Sequence, residues 1–346
     1  MTDNNELIKL ATKLISFKSI TPDDSGCQTY IKKYLLDLGF SIDEFKFGKV
    51  NNLVAVKGSS KPVFSFLGHT DVVPEGNLDE WDSDPFVLTK KNNKIFGRGI
   101  SDMKGGIACM LESIKNFIAE NNDYKGTIVI ILTSDEEGVA EEGIKKLVSE
   151  GILEKYKIDM CLVGEPSSKE KLGDTIKNGR RGSLSGKLVV EGKQGHVAYP
   201  QYAINPIHQT ISIFNNLINK EFDRGNKYFP PTSFQISNIK SGVGVENVIP
   251  GELHIKFNFR YSTEVTKDQL INMVEKLLNS KKIKYKIDWH HSGEPYLTQN
   301  TDLLDVCVNC INDELNINPV ISTDGGTSDG RFISKICKNV VEFGLV

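Results

Sequence analysis

The sequence predicts an α/β protein with a largely buried sheet, interrupted by a smaller domain of β-α-β-β-α-β order. Three observations predict it. The chain is 346 residues long, about twice the usual single-domain size, so two domains are expected. Stretches of helical spacing alternate with short unbroken apolar runs through the first half. The rhythm then changes after Arg181.

From Glu6 to Phe17 the apolar residues Leu7, Leu10, Ala11, Leu14 and Ile15 recur at helical spacing. A second helix runs through Ile31, Tyr34, Leu35 and Leu38, with Gly39 placed to end it. Strand-like runs follow at 53–56 and 63–67. Ile107, Met110, Leu111, Ile114, Phe117 and Ile118 spell another helix. Strands are predicted at 127–132 and 159–163, separated by the helical stretch 143–150. Unbroken apolar runs alternating with helices mark an α/β layer whose sheet is covered. Past Arg181 the prediction is a strand at 183–191 and a helix at 205–220, with Ile207, Ile211, Phe214, Leu217 and Ile218 on one face. Strands at 233–239 and 252–261 follow; the second alternates Leu253, Ile255, Phe257, Phe259 and Tyr261 on one side. A helix at 266–278 and a strand at 284–289 complete the split βαβ, ferredoxin-like order. From about Pro295 the first rhythm returns and ends in a strand at 339–343. The expected domains are therefore 1–181 with 295–346, and an inserted 182–294.

Composition narrows the function. Forty-two Lys and Arg against 45 Asp and Glu leave a net charge of −3, so no basic footprint points to nucleic acid. The apolar run 128–132 is far too short to span a bilayer, which argues against a membrane partner. The opening MTDNNELIKL lacks the basic and apolar regions of a secretion signal, and a cytoplasmic location is expected. Cys27, Cys109, Cys161, Cys307, Cys310 and Cys337 are too few in so long a chain for a disulfide framework. An enzyme of the cytoplasm is the expectation.

In open α/β sheets, ligands collect beyond the carboxyl ends of the strands. The first such end carries Gly-His69-Thr-Asp71, the next Thr-Ser-Asp135-Glu136-Glu137-Gly, and a third Gly-Glu165-Pro. Gly-Arg-Gly-Ile-Ser-Asp102 stands just ahead of the Ile107 helix. Singly, such acids are commonly helix caps and turn formers. Together, one imidazole and several carboxylates form a ligand set suited to zinc, manganese or another borderline ion. Neighbours such as Glu136 and Glu137 cannot easily bind one ion from a tight turn, so one is free to carry protons.

These residues carry a family resemblance. GHTDVVP (68–74), GRGISDMKGG (97–106), TSDEEG (133–138) and GEPS (164–167) resemble the motifs of the dinuclear-zinc aminoacylase and carboxypeptidase clan. Within it, KNGRRGSLSGKLVVEGKQGHVAYP (177–200), NVIPGEL (247–253) and STDGGTSDGRF (322–332) resemble the succinyl-diaminopimelate desuccinylase family. The resemblance implies a zinc-hydrolase domain with a central mixed sheet flanked by helices, plus an inserted ferredoxin-like lid and dimerisation domain. It implies two zinc ions per subunit, with cobalt as the alternative ion. Asp102 would bridge them, His69 and Glu165 would complete one site, and Glu137 would belong to the other. Glu136 would be the general acid/base. Asp71 would orient the His69 imidazole from behind the metal. A cis peptide is implied at Asp102–Met103. Zinc lowers the pKa of bound water from 15.7 to about 7, and Glu136 would pass the released proton to the departing amine. The implied reaction takes N-succinyl-LL-2,6-diaminopimelate and water to succinate and LL-2,6-diaminopimelate, in lysine and cell-wall precursor synthesis.

Arginine suits carboxylate recognition, and the chain has only six arginines against 36 lysines. Arg180 and Arg260 match family positions that face substrate, while Arg98 has no assignment. Ser183, Tyr199, Asn247, Gly326 and Thr327 are further carry-overs from the resemblance. His196 resembles a residue sent across a homodimer interface to the neighbouring active site. The family pattern also continues to another histidine beyond Val346, which completes the second zinc site. The expectation is thus a C-terminally shortened form with one well-held zinc and reduced or absent activity. Cys307-x-x-Cys310 reads as core packing, Trp81 and Trp289 as packing, and His208, His254, His290 and His291 as structural or exposed. The competing readings are a sister deacylase, such as an acetylornithine deacetylase or a peptidase, and a non-catalytic ligand-binding protein.

Overall fold

The computed structural model describes residues 4–299 and 301–346. They divide into two compact units. The first comprises residues up to Gly179 together with Leu297–Ser322 and Ser328–Val346, and the second comprises Arg180–Tyr296 with Thr323–Thr327.

The first unit is built on an eight-stranded mixed sheet. Its spatial order is Ser41–Phe47, Val50–Gly58, Thr127–Thr133, Val63–His69, Met160–Val163, Val340–Glu342, Thr175–Lys177 and Val320–Ser322. Thr127–Thr133, Val63–His69, Met160–Val163 and Val340–Glu342 run parallel, and the first three strands of the order pair antiparallel. Every residue of Thr127–Thr133 is buried, which explains its unbroken apolar run. The helices Asn4–Ile15, Cys27–Asp37 and Gly105–Glu120 bury Leu10, Leu14, Ile31, Leu35, Ile107 and Leu111 against Leu53, Ile130 and Leu132. Each such side chain contributes roughly 1.5–3 kcal/mol of burial. Gly39 ends the second helix at φ +79°, its N–H donating to the Leu36 carbonyl at 2.9 Å.

Three strands of this sheet escape the sequence pattern. Ser41–Phe47 is a charged edge strand whose residues are exposed or half-buried, so it shows no clean alternation. Thr175–Lys177 and Val320–Ser322 are three residues each, too short to show a period. The helix Asp302–Leu315 buries Leu303, Leu304 and Ile311 against Ile176 and Val341. Cys307 is half-buried on it. Cys310 is exposed, one turn further round, so core packing does not describe that residue.

The second unit has an antiparallel four-stranded sheet in the order Ser233–Ser241, Glu252–Tyr261, Gly182–Glu191, Lys284–Gly293. Its helices Pro206–Ile218 and Lys267–Ser280 pack Ile213, Phe214, Leu217, Leu270, Val274 and Leu278 against it. Asn205 caps the first helix by accepting from Ile207 and His208 N–H groups; Thr266 and Gln269 form a reciprocal capping box on the second. The bounds differ from the expected 182–294. Arg180 Nη1 donates to the Asp324 carbonyl at 3.1 Å and Thr323 Oγ1 to the Tyr228 carbonyl at 2.6 Å, which ties 323–327 into this unit.

Candidate metal centre and active site

Three neighbouring parallel strands of the first unit end in the acids and the histidine. His69 closes Val63–His69, opposite Thr133 of its neighbour. Its ring is 1% exposed. Nδ1 lies 2.9 Å from the Asp71 carbonyl, an acceptor only, so Nδ1 carries the proton and Nε2 is left as a metal donor. Nε2 lies 3.0 Å from Asp102 Oδ1 and 3.8 Å from Glu165 Oε1. Asp102 sits on the irregular turn Ile100–Lys104, and its peptide bond to Met103 is cis. Met103 is fully buried beneath it, with Sδ accepting the His69 N–H at 3.3 Å. A Cβ on Gly164 would meet Met103 Cε and Phe66 at 2.5 Å, so the residue before Glu165 has room only for glycine.

Glu136 and Glu137 follow Thr127–Thr133. The Asp71 carboxylate accepts their backbone N–H groups at 3.4 and 3.1 Å. The buried Asp135 carboxylate pins the rest of this loop through the N–H groups of Ala140 and Glu142. Two donor sets result, His69 with Asp102 and Glu137, and His69 with Glu136 and Glu165, each with ligand atoms within 4.8 Å of one another. Glu136 thus has a carboxylate oxygen within 4.8 Å of a His69 ring nitrogen.

The residues fit a divalent ion. Donors about 2.1 Å from a tetrahedral zinc lie roughly 3.4 Å apart, between the 3.0 and 3.8 Å seen around His69 Nε2. The electrostatics agree. Burial, and then neighbouring acids, push the Glu165 carboxyl well above its ordinary range, and burial pushes Glu137 up to about 7. Glu136 is also raised by burial. Burial pulls the His69 imidazole down, but its bond to Asp102 and the charges of Asp71 and Glu165 outweigh it and raise it well above 6.5. A cation among these groups would offset both the burial and the mutual repulsion that raise them.

The expected substrate residues all fall in the second unit, in two groups. Arg180 is buried against the 323–327 segment that carries Gly326 and Thr327. Ser183 pairs directly opposite Arg260, and its hydroxyl accepts from Asn258. Elsewhere His196 lies 5.9 Å from the Tyr199 ring, and Val197 N–H donates to the Asn247 carbonyl. Arg98 stacks over Trp81 at 5.1 Å and donates to the Glu75 carbonyl, a packing role for both. Trp289 packs edge-on against Phe257. His208 and His254 are exposed, and His291 bonds the Tyr261 hydroxyl.

Sequence reasoning passed over Lys104, Asp329 and Arg331. Lys104 is fully buried, with Nζ donating to the Phe17 carbonyl at 2.8 Å. Arg331 was within reach, being one of only six arginines and inside a quoted motif.

This fold and donor set define a metal-dependent hydrolase. The sequence model of peptidase family M20/M25/M40 matches residues 65–346, and the chain belongs to that family. It is 52% identical over 341 residues to the succinyl-diaminopimelate desuccinylase of Vesicomyosocius okutanii subsp. Calyptogena okutanii, covering 98% of this chain and 91% of that one. Against the succinyl-diaminopimelate desuccinylase of Nitrosospira multiformis it is 49% identical over 340 residues, covering 98% and 90%. The M20 family metallo-carboxypeptidase Sso-CP2 from Sulfolobus solfataricus shares the fold, with a TM-score of 0.83 at 18% identity over 98% of this chain and 91% of that one. So does the Bacillus subtilis YXEP protein, described as a dinuclear metal binding peptidase from the M20 family, with a TM-score of 0.70 at 17% identity over 98% and 88%.

Proposed function

We propose that the chain hydrolyses the succinyl amide of N-succinyl-LL-2,6-diaminopimelate, releasing succinate and LL-2,6-diaminopimelate. The convergence of His69 Nε2 with the carboxylates of Asp102 and Glu165 carries the chemistry, and identities near 50% to desuccinylases support the substrate. A single imidazole among carboxylates suits zinc, with cobalt as the alternative. Asp102 would serve both ions, His69 and Glu165 would hold one, and Glu137 would hold the other. The ions, when bound, act as Lewis acids toward the amide carbonyl and acidify water. Glu136 takes the proton from the attacking water and returns it to the departing amine. Asp71 keeps His69 and the 136–137 backbone in register.

Arg180, Ser183, Arg260, Gly326 and Thr327 are proposed to contact substrate, with Tyr199 and Asn247. A homodimer through the second unit, with His196 serving the neighbouring site, is supported by its exposed apolar residues. Ile211 and Ile218 on one helix and Ile239 on the edge strand Ser233–Ser241 are each about 60% exposed. Among the described residues no helix is long and apolar enough to cross a membrane, and we place the reaction in the cytoplasm, in lysine and cell-wall precursor synthesis.

The test is metal content and turnover on one sample, with N-succinyl-LL-2,6-diaminopimelate, N-acetylornithine and dipeptides in parallel. Metal-dependent release of succinate from the first substrate alone is expected. Faster turnover of either other class would transfer the chain to a sister activity.

A further inference from the structure

Two buried polar side chains of one turn carry atoms that have no hydrogen-bond partner among the described residues. Arg331 is 8% exposed, and neither Nε nor Nη1 has a hydrogen-bond partner among the described residues. Its guanidinium lies over the ring of its neighbour Phe332, at 4.4 Å. Asp329 is 3% exposed, and its Oδ1 is likewise unpartnered. A buried polar atom left without a hydrogen bond is costly, so such groups are either neutralised or kept for a ligand.

The turn itself is firmly held. Ser328 Oγ donates to Oε1 of the fully buried Glu342 at 2.5 Å and accepts the Gly330 N–H at 3.2 Å. The Arg331 N–H closes the turn onto the Ser328 carbonyl at 3.1 Å. These bonds fix the backbone that carries both side chains. Burial raises the carboxyls of both Glu136 and Asp329, the charge of Glu136 adds to the rise at Asp329, and the Arg331 guanidinium opposes the rise at both.

We propose that Arg331 and Asp329 bind an α-amino acid head group, Arg331 donating to its carboxylate and Asp329 accepting from its ammonium. A planar guanidinium with two free nitrogens matches a carboxylate, and a carboxylate oxygen on the same turn matches an ammonium. The identity of the head group rests on the desuccinylase reading. N-succinyl-LL-2,6-diaminopimelate is acylated at one end and carries a free amino acid head group at the other. The unpartnered atoms are closed to bulk water, so charge pairs made there meet little competition from solvent. The arrangement selects substrates whose far end bears both charges.

Three substrates separate this role from a mere orienting effect on Glu136. N-succinyl-L-lysine lacks the far carboxylate, and N-succinyl-L-2-aminopimelate lacks the far ammonium. Arg331→Lys is expected to lose about 100-fold in kcat/KM on the full substrate while N-succinyl-L-lysine turnover is nearly unchanged. Asp329→Asn is expected to spare N-succinyl-L-2-aminopimelate in the same way. Equal losses on all three substrates by both variants, with circular dichroism unchanged, would overturn the proposal. Arg331→Gln replaces Arg331→Lys if the latter does not fold. Should the wild type hydrolyse no succinyl substrate, the desuccinylase reading falls, and calorimetry with LL-2,6-diaminopimelate decides the head-group site. Binding that is weakened in both variants supports it; absent or unweakened binding refutes it.

Discussion

The carboxylate of Asp71 reaches the backbone of Glu137 more closely than it reaches the ring of His69. Oδ2 accepts the Glu137 N–H at 3.1 Å, whereas Oδ1 stands 3.6 Å from His69 Nδ1. The ring is held instead by the Asp71 main-chain carbonyl at 2.9 Å. One residue thus sets a metal donor with its backbone and the acid/base turn with its side chain. Asp71→Asn keeps the carbonyl but replaces one acceptor oxygen by a donor. We expect metal content to be retained and turnover to fall about 10–100-fold. Loss of metal in step with activity would place the carboxylate's role at His69.

Glu136→Gln leaves the proposed ligands in place and removes the proton carrier. Turnover should drop on the order of 10²–10⁴-fold with fold and metal content kept. Near-normal turnover in a metal-loaded variant would remove Glu136 from that role.

The metal-free protein should be less stable at pH 8 than at pH 5.5. Glu137 is raised by burial from 4.5 to about 7, so the folded state holds more protons than the unfolded one in that window. Stability then falls as pH rises. His69, raised well above 6.5, acts with the same sign: its contribution is complete below 6.5 and is lost as pH climbs through the raised value. Adding a divalent ion supplies the missing positive charge, so the pH dependence should flatten or reverse. Thermal melts with and without zinc at the two pH values check it. A metal-free protein that gains stability from pH 5.5 to 8 would contradict the burial of these acids.

If the second unit makes a dimer and His196 acts in trans, two inactive variants should complement each other. His196→Ala mixed with Glu136→Ala should recover part of the wild-type activity once subunits exchange, because one mixed site has both residues intact. Sedimentation of the wild type as a monomer would end that reading. Ile239→Lys on the edge strand should weaken the dimer, since a charge there blocks strand-to-strand pairing.

Sequence alone determined the elements whose signal is local. The buried run 127–132 could only be a covered strand, and the alternation of Leu253 to Tyr261 could only be a strand with one face on a core. The motifs that end three of the parallel strands, with the one ahead of the Ile107 helix, named His69, Asp102, Glu136, Glu137 and Glu165 as candidates, because strand ends in an α/β sheet converge whatever their exact geometry. Tertiary structure decided what depends on residues far apart in the chain. Ser41–Phe47 is a strand because Val50–Gly58 offers it a partner, not because of its own pattern. Cys310 is exposed although it lies one turn from Cys307, since only the packed face of its helix is covered. Asp71 serves Glu137 rather than only His69, and among the described residues Arg331 Nε and Nη1 and Asp329 Oδ1 lie buried without hydrogen-bond partners. Burial and hydrogen-bond satisfaction are sums over every neighbour in space, and periodicity along one segment carries no record of them.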